Sequence, residues 1–417
     1  MQRLGGAVTR MQQTLNDELV LKKIFFLLGD IATVKNISQI AGKQPFDKEI
    51  IAYLDEVSKI IMKDPETKHF SDVVTFAFWI RKASVENMKK KYYKDDENVH
   101  LGRGVVFHIA PSNVPINYAY SLVLGLLTGN ANIVKIPTKE FPQISIINKA
   151  FKQAFFNHSK MKDYICLIRY NREIEVTNYL SYHSDVRVIW GGDSTVSEIR
   201  KSPLFPRATE ITFADRYSFA IINSDSYLEA RDKSQIAENF YNDTYLTDQN
   251  ACTSPKLIVW TGNKIEEAKI MFWEKLHVLV RNKYTIQAIQ SVNKLSSAYL
   301  FAINESEAKI ERHEDNLIIR VMLQSIKNVI MEYECNSGFF FEYDCSNILE
   351  LKELCNCKRC QTIGYIGNKE NILPLINSGI KGVDRIVPIG KTMDFEFLWD
   401  GYNLYERLTR VIRIRSV

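Results

Sequence analysis

The middle of this chain alternates short apolar runs with longer stretches of helical spacing. "GVVFHIA" (104–110) is almost wholly apolar over seven positions, which predicts a strand covered on both faces. "INYAYSLVLGLLTGN" (116–130) predicts an apolar helix closed by Gly129, and "ANIVKIP" (131–137) a second buried strand. Strand, helix and strand in so short a span make a parallel βαβ unit. The same alternation continues through a helix at 141–156, a strand at 164–170, a helix at 174–182 and a strand at 186–190. "GGDSTVSEIR" then starts a helix, with Thr195 and Glu198 spaced as a capping box. After "DQNACTSPK" the pattern restarts with "KLIVW", a long helix from about 265, and strands in "LIIRVML" and "FFFEY".

Before Gly102 the pattern is mainly helical. "DELVLKKIFFLLGDI" has apolar residues at helical spacing, and "IFFLLGDIA" (24–32) reads as a buried helix segment. "KKKYYKDDENVH" (89–100) reads as an exposed turn. The fold predicted is α/β: an N-terminal helical region with a Rossmann-like cofactor domain over 1–245, a catalytic α/β domain over 246–385, and a segment over 386–417. That last segment is expected to pack back on the cofactor domain or to form an oligomer interface. Three loops, "PSNVP", "KIPTKEFP" and "WGGDSTVS", each follow a buried strand, where open α/β sheets hold ligands.

Composition changes this picture little. The 417 residues are 46% hydrophobic and 25% charged, an ordinary globular balance. A net charge of +5 from 54 basic and 49 acidic residues argues against a nucleic-acid binder. No signal-like apolar region opens the chain and no run is long enough to span a bilayer, so a cytoplasmic protein is expected. The seven cysteines read as free thiols in a reducing compartment. "CNCKRC" brings Cys355, Cys357 and Cys360 together, with Cys335 and Cys345 able to complete a set. The spacing is not that of a standard zinc knuckle, and no metal is expected. "IGKT" (389–392) resembles the tail of a phosphate loop, but Arg385 stands where the first glycine is needed.

Cys252 is the residue that resists a bland reading. Most cysteines are small buried hydrophobes. Here the neighbours Asp248, Gln249, Asn250, Thr253 and Ser254 are polar, and Pro255 puts the thiol on a turn just before a strand. Those residues allow either a structural cysteine or a nucleophile.

The stretch 104–137, with its Pro-x-Asn-x-Pro turn, Thr-Gly-Asn and strand-terminal lysine, resembles the cofactor domain of the aldehyde dehydrogenase superfamily. More closely, "WGGD", "DQNACTSP" and "GVDRIVPIGKTMDFEFLWDGY" resemble the acyl-CoA reductases of bacterial bioluminescence, the LuxC family. The resemblance implies an aldehyde-dehydrogenase-like fold, two α/β domains with the active site between them. It also implies NADPH-dependent reduction of an acyl thioester, a long-chain fatty acyl-CoA or a carrier-bound acyl group, to the aldehyde. Cys252 would be the nucleophile that becomes acylated. A local field is expected to lower its pKa, from Lys256 or nearby N–H groups and against Asp248. Asn113 would face the developing oxyanion.

The resemblance further places Pro111, Ser112, Lys135, Gly191, Gly192 and Asp193 against the dinucleotide, Lys135 at the adenosine ribose. Asp193 alternatively caps the following helix. NAD-preferring relatives carry a glutamate where this sequence has Thr138, followed by Lys139, which favours NADPH. The water-activating glutamate of aldehyde-oxidising relatives aligns with Thr212, with Glu210 two residues earlier, which favours a reductase. A homo-oligomer and an acyl-protein synthetase partner are implied as well. Competing readings are a CoA-acylating dehydrogenase running towards acyl-CoA, a cysteine acyl carrier or transferase without hydride chemistry, and a non-catalytic nucleotide-binding subunit.

Overall fold

The computed structural model describes residues 17–93, 98–112, 114–305, 307–333 and 336–415. They form two compact units, one running to Ala214 and including the residues from Tyr402 onward, the other Asp215–Gly401.

The first unit is built on β1 (Phe25–Leu28), β2 (Asn98–Gly102), β3 (Val105–Ile109), β4 (Ala131–Lys135), β5 (Ile165–Arg169), β6 (Val186–Trp190) and β7 (Thr209–Phe213). Six of these make one sheet in the order β1-β5-β4-β3-β6-β7, parallel except for β1. The connections run outward from β3 to β5, then return to its other side at β6. The switch point therefore lies at the carboxyl ends of β3 and β6, beside "PSNVP" and "WGG". Helices Asn117–Leu127, Pro142–Ala154, Ile174–Tyr182 and Asp193–Ile199 link the parallel strands in turn.

β3 and β6 are buried at every position, as their largely apolar sequences predict, with Arg187 the charged residue of β6. The one titratable residue in β3, His108, is enclosed between Ser121 Oγ (2.7 Å from Nδ1) and Asn132 Oδ1 (3.0 Å from Nε2). Trp190 Nε1 also donates to Ser121 Oγ at 3.0 Å. Gly125 makes room for this cluster: a Cβ there would lie 1.9 Å from Asn132 Oδ1 and 3.1 Å from His108 Nε2.

Ahead of this sheet, helix Lys48–Lys63 is capped by Asp47 and packs on Pro142–Ala154. Tyr53 stacks on Phe151 and Phe155 there and donates to the Phe151 carbonyl at 3.1 Å. "IFFLLGDIA" is not a buried helix: residues 25–28 are the antiparallel edge strand β1, and Phe25 is 65% exposed. Gly29, at φ +82°, ends the strand, and Asp30 caps the next helix. Part of "KKKYYKDDENVH" is also regular, since helix Lys82–Tyr92 takes its first residues and β2 its last. The C-terminal strand Thr409–Arg413 pairs antiparallel with β2, so the arginine-bearing end of the chain lies on the first unit.

The second unit contains β8 (Tyr217–Asn223), β9 (Pro255–Thr261), β10 (Lys309–Arg312), β11 (Ile319–Leu323), β12 (Phe339–Asp344), β13 (Cys360–Ile366) and β14 (Arg385–Pro388). Their order is β10-β11-β12-β9-β8-β13-β14, parallel except for β10. Alternation sorts the side chains. Tyr217, Phe219, Ile221, Leu257 and Val259 pack with Ala298, Phe301 and Leu375, whereas Ala220, Ile222, Ile258 and Trp260 pack with Phe240, Phe272 and Leu276. The first unit ends at Ala214 rather than at 245, because β8 is hydrogen-bonded between β9 and β13 of the second sheet. β14 and the residues to Gly401 also stay with the second unit, and only those from Tyr402 return to the first. Among the described residues no helix is long and apolar enough to cross a membrane.

Burial holds the His108 imidazole down to about 4, against an ordinary value of 6.5. Between about pH 4 and 6.5 it is therefore neutral in the folded chain and protonated in the unfolded one. The stability this contributes is present above pH 6.5 and is lost as pH falls towards 4, on the order of 3 kcal/mol at full extent. Denaturation midpoints measured between pH 4 and 7 are expected to fall with pH, and His108→Gln to show a shallower slope and lower stability at pH 7.

Candidate active site

The chain reaches Cys252 through a turn that is expensive to form. Helix Lys233–Thr244 tightens into a last turn at Tyr245–Thr247, and Asp248 and Gln249 then both take positive φ, 53° and 54°. Two side chains hold this shape. Asp248 accepts from the Tyr284 hydroxyl, from Gln290 Nε2 at 2.7 Å and from Ser337 Oγ at 3.1 Å. Gln249 is fully buried; its amide donates to the carbonyls of Pro255 (3.1 Å) and Phe339 (3.2 Å), and its Oε1 accepts from the Gly338 N–H at 2.7 Å. Behind them the buried Lys294 donates to the Ser337 carbonyl at 2.6 Å, and its amine is pushed down to about 8 by that burial. The polar neighbours of the cysteine are thus the fastening of its turn.

Cys252 sits half-buried at the tip, immediately before β9. Its carbonyl accepts from Ser218 Oγ at 2.7 Å, and the Thr253 hydroxyl donates to Met393 Sδ at 3.1 Å. Parallel pairing places Ser218 opposite Pro255, Cys360 opposite Tyr217 and Thr362 opposite Arg385. The amino ends of β9, β8, β13 and β14 therefore stand in a row, and polar residues at those ends converge on the sulfur. The Gln361 amide donates to Asp400 Oδ1, and its Oε1 lies 3.5 Å from Ser218 Oγ. Arg216 is joined to Asp384 and to the carbonyls of Lys358 and Cys360, with its Nε 3.8 Å from Asp400 Oδ2. Asp400 and Gly401 have φ of +48° and +70°, the conformation an Asp-Gly tight turn demands.

These surroundings do not lower the thiol pKa as the sequence suggested. Enclosure pushes Cys252 up to about 12; the Asp400 charge adds to this, and the Gln361 hydrogen bond and Arg216 oppose it. Lys256 is turned to Asn336 Oδ1 at 3.5 Å, and Asp248 is engaged by its three donors. The resting sulfur is a thiol. Asp400 is itself raised, by burial first.

The residues singled out for the dinucleotide all belong to the first unit. Lys135 ends β4 half-buried, its ammonium 4.0 Å above the Tyr170 ring and its pKa lowered by burial. Thr138 and Lys139 are exposed in the following loop, and Lys139 lies over Phe141 at 5.0 Å. Pro111 and Ser112 follow β3, and Gly191 and Gly192 follow β6, so these two pairs flank the switch point. Gly192 occupies the N-cap of helix Asp193–Ile199, with no side-chain cap bond. Asp193 is therefore a first-turn residue rather than the cap, and the Thr195–Glu198 box does not form. Asn113 lies outside the described residues.

Three further signals resolve differently. Glu210, the alternative base, is held by Arg187 (Nε 2.9 Å, Nη2 2.6 Å) and by Arg200 Nε at 2.8 Å, while Thr212 is a β7 residue. In the "IGKT" bend the N–H groups of Gly390 (2.5 Å) and Thr392 (3.2 Å) both go to the Asp243 carboxylate. Cys355 and Cys360 are buried, with the Cys360 thiol donating to the Leu354 carbonyl at 3.1 Å. Cys335 lies outside the described residues, and among those described no three metal-binding side chains cluster. Sequence reasoning missed Arg216, Ser218, Gln361 and Asp400. For Arg216 and Ser218 the available signal was their place at the start of the apolar run of β8; Gln361 and Asp400 gave none.

The family model for acyl-CoA reductase (LuxC) matches residues 27–411. The chain belongs to the LuxC family. A long-chain acyl-protein thioester reductase of Photorhabdus laumondii is 24% identical over 292 residues, covering 69% of this chain and 54% of the relative. That of Vibrio harveyi is 26% identical over 215 residues, covering 49% and 44%. The chain thus spans between about two-fifths and two-thirds of the length of these LuxC-type relatives. Among solved structures, 1-pyrroline-5-carboxylate dehydrogenase of Thermus thermophilus superposes with a TM-score of 0.63 at 13% identity, covering 96% of this chain and 85% of that one. Aldehyde dehydrogenase 21 of Physcomitrella patens gives 0.62 at 11% identity, covering 91% and 89%. The fold of this LuxC-family chain is that of the aldehyde dehydrogenases.

Gln249→Leu leaves the Gly338 N–H and two carbonyls without their buried partner. A loss of about 2–4 kcal/mol is expected in chemical denaturation, with faster alkylation of Cys252 as its turn loosens.

Proposed function

We propose that this protein reduces a long-chain acyl thioester to the aldehyde with NADPH, by way of an acyl group carried on Cys252. The observation that carries the reading is the presentation of that one thiol. It lies partly buried at the tip of a turn fixed by Asp248 and Gln249, ahead of β9.

The Cys252 sulfur attacks the acyl carbonyl, its proton leaves with the departing carrier thiol, and a thioester to the protein remains. The relatives' names point to a protein-borne acyl group as the donor, and acyl-CoA is the simpler substrate of the same chemistry. Glu210 supports the reductive outcome. Both its oxygens are held by guanidinium groups and Thr212 carries no base, so β7 offers no group to activate water against the thioester.

The first unit's residues fit a dinucleotide. Among the described residues the Lys135 ammonium has only the face of Tyr170 as its partner, which leaves its donors for ribose hydroxyls. Gly191 and Gly192 would let the pyrophosphate approach the start of the following helix. Thr138 and Lys139 leave room and positive charge for a 2′-phosphate. The bound nicotinamide supplies the hydride that releases the aldehyde.

Intact mass after mixing with acyl-CoA, or with an acylated carrier protein, is expected to show one acyl adduct on the wild type and none on Cys252→Ala. NADPH should discharge the adduct as aldehyde. An adduct that persists in the Ala variant, or discharge as free acid, would overturn the reading. Thr138→Glu is expected to cut the preference for NADPH over NADH at least tenfold, measured as the ratio of kcat/KM values.

A further inference from the structure

Helix Ala288–Asn304 has two apolar sides. Its inner side packs Ala298 and Phe301 into the core of the second unit. It also fastens the cysteine's turn, through Gln290 on Asp248 and the buried Lys294 on the Ser337 carbonyl. The outer side of a surface helix is ordinarily polar. Here Ile289, Val292, Tyr299, Leu300 and Ile303 are all between 48% and 77% exposed. Lys294 is the one charged residue in the helix, and it is buried, so the outer side carries no charge. Helix Ile265–Lys283 shows the contrast. It exposes Ile270 and Val278, but among Glu266, Glu267, Glu274 and Arg281.

The spacing turns the outer residues into a seam. Ile289, Val292, Ser296, Tyr299 and Ile303 recur by threes and fours within an arc of roughly 80°, with Leu300 beside them. That is the pattern of a helix packed along another helix, yet all six residues face solvent. The seam is also its own complement. Turned antiparallel about a two-fold axis at Ser296, Ile289 meets the second copy's Ile303, Val292 meets its Leu300, and the small Ser296 side chains meet on the axis. The exposed apolar surface is on the order of 500 Å2, at the upper end of what monomers leave open. With the polar rim it approaches the roughly 800 Å2 per partner that a stable interface buries. A lipid surface fits less well, because an interfacial helix sets Lys or Arg beside its apolar stripe and this one exposes neither.

We propose that helix Ala288–Asn304 is a dimer interface, covered by the same helix of a second copy packed antiparallel about a two-fold axis at Ser296. This interface is independent of the chemistry at Cys252. It belongs to the second unit, whereas the arginine-bearing C-terminus belongs to the first.

Sedimentation velocity on the full chain is expected to show an even-numbered assembly at micromolar concentration. Ile303→Glu and Ile289→Lys, each at an exposed position, are each expected to raise the concentration at which it dissociates into halves at least tenfold. The two substitutions together are expected to restore it, since opposite charges then face each other across the axis. Ser296→Cys, oxidised with copper phenanthroline, is expected to give a disulfide-linked dimer, mapped to position 296 by peptide mass spectrometry. Ile303→Cys is not, because its two copies lie roughly 20 Å apart along the helices. Circular dichroism checks the fold of each variant, and Ser296→Cys adds no charge and so keeps the test open if a charged variant unfolds. A monomeric wild type, an assembly indifferent to Ile303→Glu, a double variant no tighter than the single ones, or a link at 303 without one at 296 would each overturn the proposal. So would a monomeric wild type that binds vesicles of phosphatidylcholine and phosphatidylglycerol while Ile303→Glu does not, which would make the stripe a lipid contact.

Discussion

The candidate site depends on one geometric constraint, the parallel alignment of β14, β13, β8 and β9. Parallel strands start at the same edge of a sheet, so the residues that open each strand are neighbours in space although they lie far apart in sequence. Cys252, Ser218, Gln361 and Asp384 come from four separate segments and meet only because those strands are in register. A single antiparallel strand among the four would carry its opening residue to the far edge. The chemistry is thus a consequence of topology before it is one of side chains.

The electrostatics follow from that gathering. Bringing Asp400, Asp384 and Arg216 to one sheet edge buries charge that only mutual pairing makes tolerable. The thiol among them is held protonated by enclosure, with one amide and one guanidinium opposing it. The enclosure that raises the sulfur also makes each nearby donor more effective, since charges act more strongly where water is scarce. The first unit uses burial in the other direction: His108 is kept neutral between a hydroxyl and an amide.

Much of the architecture was legible because it rests on periodicity. The runs at 104–110 and 186–190 are wholly apolar or nearly so, and β3 and β6 are buried throughout. The helix at Ile174–Tyr182 matches its sequence bounds. Periodicity failed at "IFFLL", where a run too short for its spacing to discriminate became an edge strand. It failed again at the unit boundary, since membership of a strand in one sheet or the other is decided by distant partners. Cys252 stood out by its local polarity. Gln361 and Asp400 did not, because an amide at the start of a strand and an Asp-Gly turn look ordinary until the fold sets them beside a sulfur. Glu210 could be doubted from sequence, but only the structure shows the two arginines that restrain it.

The Asp243 carboxylate illustrates how letters mislead in the opposite sense. It fills the pair of N–H groups in the "IGKT" bend from inside the molecule, and burial pushes it up to about 7. A phosphate could enter that bend only by evicting a covalently tethered rival whose effective concentration no free ion matches. What reads like a nucleotide grip is therefore a rivet: it pins the 389–393 segment, and with it Met393, against the residue that follows the nucleophile.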